Sequence, residues 1–280
     1  MKRRVVYLLI FLILLHGQPI QATSTINYKI EMLGWNEVNT LLPKYSKFTV
    51  LDLETGKKFE VQRRAGSHHA DVQPLTVKDT NIMKKIYGGE WSWRRRAIIV
   101  MSGNKMIAAS MHGMPHGAGA LENSFPGHFC IHFYGSTTHR TNSMDLSHKL
   151  MIFKASARLE KYLAAASPYD VINAYIAGLK QQDTLFLSLT SHQTIAWKPI
   201  LKEIDNVRIS RMPILPAEDL TSEISLDVPI EVEWFFKSYG PKTFHGEIHL
   251  VRFSTTDPWT IDSISFLEEN NLIKKKHLYK

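Results

Sequence analysis

Apolar and polar positions alternate over 48–53 and again over 58–63. Glu54-Thr55-Gly56-Lys57 joins the two runs with turn chemistry, so together they predict a β-hairpin. Ahead of it, 34–42 has the spacing of a short amphipathic helix ended by Pro43. Thr76 with Asp79 three residues on resembles a capping box. Val77, Ile82, Met83 and Ile86 follow at helical spacing and Gly88-Gly89 closes the run, which predicts a helix over 76–87. Strands are expected at 97–101 and 105–111, around Ser102-Gly103-Asn104. A loop rich in Gly, Pro and His runs over 113–127, a strand follows at 130–134, and 145–163 reads as one helix.

A boundary falls at 164–168. Beyond it, Val171, Ile172, Tyr175, Ile176 and Leu179 form the apolar stripe of a helix over 168–180, and 184–189 continues as a second helix. The remainder predicts strands at 207–209, 223–228, 231–238, 247–253 and 259–266. The sum is an α+β fold in two modules, 23–165 and 166–280, behind an N-terminal segment 1–22.

Charge separates the same parts. Residues 23–167 carry 19 basic and 11 acidic side chains, whereas 168–280 carry 12 basic and 15 acidic. An apolar fraction of 44% excludes a disordered chain, and a single cysteine excludes an internal disulfide framework or a thiolate zinc cage. Lys2, Arg3 and Arg4 precede an unbroken apolar run from Val5 to Leu15, which then breaks at His16-Gly17-Gln18-Pro19. That order predicts an export signal over 1–22 and a secreted protein at the cell wall or the outer membrane face. No nucleic-acid motif is visible, and an exported basic domain suits anionic wall polymers better than nucleic acid.

Eight of the 13 histidines lie between positions 68 and 148. An imidazole near a thiol can take its proton and stabilise the thiolate that remains. His128 and His132 flank Cys130 at two residues on either side, and on a strand all three share a face. Cys130 is therefore the candidate nucleophile.

His112, a fourteen-residue spacer that opens with Gly113, then Gly127-His128-Phe129-Cys130-Ile131-His132 resembles the signature of the bacterial L,D-transpeptidases. That signature runs from a His across such a spacer to Ser/Thr-His-Gly-Cys, a hydrophobic residue and Arg. The resemblance covers 45–160 in layout and 112–132 in motif. It implies a β-rich domain acting on peptidoglycan stem peptides, with Cys130 as nucleophile and His112 as general base. His128 would support the thiolate or oxyanion, and the Gly113 carbonyl would orient His112. His132, His116, His69, Asp71 and Trp93 would line the substrate cleft. The reaction, a transpeptidation or a carboxypeptidation, needs neither a metal nor an organic cofactor. Gly127, Phe129 and His132 depart from the signature, where Ser/Thr, Gly and Arg are usual; Phe129 bears on pocket shape. The second module resembles, in layout, the cone of nuclear-transport-factor-two-like domains and reads as accessory.

Two rival readings stand beside this one. His68, His69 and Asp71 with His112, His116 or His128 offer two imidazoles and a carboxylate, the donors of a zinc-dependent wall peptidase or amidase. A wall-binding module without catalysis is the other. The sequence leaves the oligomeric state open.

Overall fold

The computed structural model describes residues 29–138, 143–214, 220–238 and 240–274. The expected export signal and His139 lie outside the described residues. No described helix is long and apolar enough to cross a membrane.

The chain forms two domains of α+β character. In the first, a hairpin of β2 (Lys47–Asp52) and β3 (Lys58–Ala65) sits where the alternation placed it, and Phe48, Val50, Phe59 and Val61 are all buried. β3 pairs with β4 (Ala70–Pro74), and β2 with β5 (Arg95–Ser102), which pairs in turn with β6 (Lys105–His112). β7 (Phe129–His132) bonds to both β4 and β6 and so closes a six-stranded antiparallel barrel. The short β1 (Ile30–Glu31) adds in parallel to the first half of β6. Two helices cover the barrel ends: α1 (Trp35–Leu41) and α2 (Val77–Ile86), the latter with the Thr76–Asp79 capping box formed. Such a cap contributes about 1 kcal/mol.

Alternation in β7 divides the site from the core. Phe129, Ile131 and Phe133 turn into the barrel interior, and Phe129 packs on Phe59 and Phe125. Cys130 and His132 face the other way. On that outer side, α3 (Leu146–Ala155) and α4 (Leu159–Ala164) pack over β5 and β6. The single helix expected at 145–163 is thus two. Ala157 adopts a left-handed φ of 55° between them, a break that neither Gly nor Pro announces.

The second domain wraps a curled four-stranded antiparallel sheet around helices. α5 (Pro168–Gln181) begins with Ser167 as cap and Pro at the first turn, and α6 (Thr184–Thr190) follows a cap by Asp183. α7 (Trp197–Glu203), which the sequence reading lacked, leads into β8 (Ile204–Arg211). β9 (Ser225–Phe236) and β10 (Gly240–Val251) form the long central pair, with β11 (Thr260–Ile261) at the edge. The expected strands 223–228 and 231–238 are one strand. The strand expected at 259–266 stops at Ile261, because Asp262 caps α8 (Ser263–Glu269) through Ser265 N. Tyr175, Trp234 and Phe266 pack together at the centre of this domain.

Candidate active site

Strand register brings the chemistry together. Asp71 stands directly opposite Cys130 in the β4–β7 pair, and Ser110 opposite His132 in the β6–β7 pair. Residues 59 apart in sequence thereby become neighbours. Cys130 Sγ lies 3.3 Å from His116 Nε2 and 3.7 Å from Asp71 Oδ1.

His116 reaches the thiol because its loop is pinned. The backbone N–H of His116 donates to His128 O, and that of His128 to His116 O, both at 2.9 Å. Gly127 makes the crossing possible: its φ is +128°, and a Cβ there would stand 2.6 Å from His116 O. A Ser or Thr, which the family signature has at this position, would collide with the loop.

Backbone carbonyls fix the histidine tautomers. His116 Nδ1–H donates to Met114 O at 3.2 Å, His69 Nδ1–H to Thr137 O at 2.9 Å, and His128 Nδ1–H to Ala118 O at 3.1 Å. A carbonyl only accepts, so each Nδ1 carries the hydrogen. Nε2 of the neutral ring is then the acceptor, and in His116 it faces the thiol. His69 Nε2 and His128 Nε2 lie 3.2 Å and 3.9 Å from Asp71 Oδ1.

The other imidazoles form a buried wall. His132 stacks between His69 and His148, with ring centroids 4.5 Å and 3.8 Å away. His148 Nδ1 and Ser110 Oγ are 2.9 Å apart. His112 is buried against Trp93 and His116, and among the described residues its Nδ1 has no hydrogen-bond partner. Among the described residues, the imidazole nitrogen at hydrogen-bond distance from Sγ belongs to His116 rather than to His112, the base that the resemblance implied. Gly113 donates its N–H to Ser92 O and packs under the Tyr87 ring. Its carbonyl does not engage His112 Nδ1. His68 is exposed, and its carbonyl accepts from Thr137 N.

His69, His112, His116, Cys130, His132 and His148 line a cleft of about 840 Å³ together with Trp93, Arg95 and Asp145; Asp71, expected to line it, lies buried behind Cys130 instead. Burial and the facing Asp71 carboxylate push the Cys130 thiol well up. Burial holds His116 below its ordinary value, against the opposing pull of its bond to Met114 O. Burial also holds His112 and His148 far down, helped by Arg95 and His132 respectively. The resting pair is therefore a neutral thiol facing a neutral imidazole. Arg95, whose charge opposes the rise of the thiol, is a residue that the sequence reading placed only in a basic run.

Metal-binding capacity is present as well. One ring nitrogen from each of His112 and His116 lies within 4.8 Å of the other and of Sγ, and the same holds for His69 and His132. Rings stacked at 16°, as His69 and His132 are, hold their lone pairs in near-parallel planes that do not meet at one ion. The 41° tilt between His112 and His116 lets theirs converge.

Phe129, the residue that threatened the pocket, has its ring on the opposite face of β7 and leaves the cleft open. Comparison with family models, with curated proteins and with solved structures finds no match for this chain.

Proposed function

We propose that the protein is an exported cysteine acyltransferase acting on peptidoglycan stem peptides, as an L,D-transpeptidase or L,D-carboxypeptidase. The observation that carries the chemistry is the Cys130 Sγ to His116 Nε2 approach of 3.3 Å inside an open cleft. The peptide substrate rests on the resemblance of 112–132 to the family signature. The smaller domain keeps its reading as an accessory of the cone-like class, for which the curled sheet around α5 is the support.

The reaction proceeds by nucleophilic substitution at an acyl carbon. His116 Nε2 takes the thiol proton as sulfur attacks the peptide carbonyl. The C–N bond breaks, and the leaving amine of the terminal D-amino acid carries that proton away. The thioester on Cys130 then passes its acyl group to an acceptor amine or to water; His116 takes the proton of that nucleophile and returns it to the departing Cys130 sulfur, which restores the neutral pair. Coupling attack to proton transfer suits a thiol whose free anion burial disfavours. Arg95, lining the same cleft, supplies positive potential where the carbonyl oxygen gains charge.

Intact mass measured after incubation with tetrapeptide stem peptides tests this reading, beside a Cys130→Ala control. The expected result is an acyl adduct on the wild type, or released D-amino acid, with neither for the variant. No adduct and no release from the wild type would overturn the cysteine mechanism.

A further inference from the structure

A second groove, of about 410 Å³, runs beside the thiol cleft, and its walls come from both domains. Trp93, Arg94 and Arg95 lead into β5, Lys180 and Gln181 end α5, and Asp205 lies on β8. Trp93 and Arg95 line both hollows, so the two adjoin. Gln181 fixes the seam: its Oε1 accepts from Arg95 N at 2.7 Å, and its Nε2 donates to Ser147 Oγ at 3.1 Å.

The groove has an excess of cations. Arg95 is committed, donating to Trp93 O and to Asp145 Oδ2. Arg94 and Lys180 are not: among the described residues, neither side chain makes a hydrogen bond or a salt bridge. Both are about half desolvated, and burial lowers both pKa values, with only Asp205 offsetting it at Arg94 and Asp145 at Lys180. Cations partly stripped of water without a bound counter-ion are costly, and an entering anion relieves that cost. The adjoining surface carries Glu54 and Glu90 beside Arg96 and Lys237, so positive charge does not extend along it. A single small anionic group fits this distribution better than an anionic polymer does.

We propose that this interdomain groove is a carboxylate subsite, in which Arg94 and Lys180 hold a carboxylate of the peptide whose carbonyl lies at Cys130. The proposal rests on the acyl-transfer reading and gives the second domain a part in substrate recognition. Trp93, half exposed between the two hollows, offers its ring to the peptide stem.

The test uses the full-length Cys130→Ala protein, in which no turnover occurs. Tryptophan fluorescence follows titration with a tetrapeptide stem peptide as free acid and as forms amidated at one carboxylate each. Amidation of one carboxylate is expected to weaken binding roughly tenfold. Arg94→Gln and Lys180→Gln, checked by thermal melting, should each cost a similar factor for the acid while leaving that amide unchanged. Equal affinity for all forms, or a full acid preference kept in both variants, overturns the subsite. An adduct on wild-type Cys130 would still uphold acyl transfer in that case. No binding of any form overturns the subsite too, and the wild-type mass spectrum then judges the acyl-transfer reading separately.

Discussion

At the scale of single residues, the site turns on which imidazole serves the thiol. The spacing from His112 to Cys130 marks the loop and the strand that the fold brings together. It does not single out His116, because the mutual backbone bonds of His116 and His128 decide which ring reaches Sγ. His116→Gln is therefore expected to lower kcat by about 10²-fold or more, and His112→Gln by less, in a D-amino-acid release assay. Burial holds His116 below the usual histidine range, so the acceptor form persists into mildly acid solution. The rate should climb as pH rises through a midpoint below that of ordinary histidine, about 6.5, and a midpoint above it would count against His116.

At the scale of elements, the close approach of the His116 loop to β7 depends on one backbone conformation. Gly127→Ala places a Cβ at a φ of +128°, 2.6 Å from His116 O. The expected cost is about 1–3 kcal/mol in chemical denaturation, with activity falling further than stability because His116 moves. The hairpin and the capped helix were legible because their signals are local: alternation in 47–65 and Thr76 with Asp79. Less local features misled. The strands expected at 223–228 and 231–238 leave out Pro229, yet β9 runs through it. Among the described residues β8 stops pairing at Glu231, so Pro229 has β10 on one side only, a setting in which a missing N–H is tolerated. In 259–266 the apolar residues fall at 259 and 261 and then shift phase to 264 and 266, and at that shift Asp262 caps the helix. Barrel closure left no trace in the sequence, since β6–β7 pairing is a property of the whole sheet.

At the scale of the molecule, the first domain stores several imidazoles in neutral form. His112 and His148 are buried, and both are held far below the ordinary histidine range, chiefly by desolvation. The unfolded chain binds protons near pH 6.5, where these folded groups do not, so stability is full above that pH and is lost as pH falls. Each contributes up to about 1.4 kcal/mol per pH unit below about 6.5. His249, raised by its bond to Asp227, acts in the opposite direction but from an exposed position. The melting temperature should stay nearly level from pH 7.5 to about pH 6.5 and fall from there to pH 5.5. A flat profile would show that the cluster is hydrated in solution.

The closure of the barrel by β7 also governs when the surroundings of Cys130 come into being. Asp71 meets Cys130, and Ser110 meets His132, only after β4 and β6 have both accepted the last strand. Pairings so distant along the chain form late and slowly, after the local hairpins. Until then Cys130 lacks the facing Asp71 carboxylate and the buried surroundings of the closed sheet. On the proposed reading, the acyl-transfer site is complete only once that final ring of hydrogen bonds has formed.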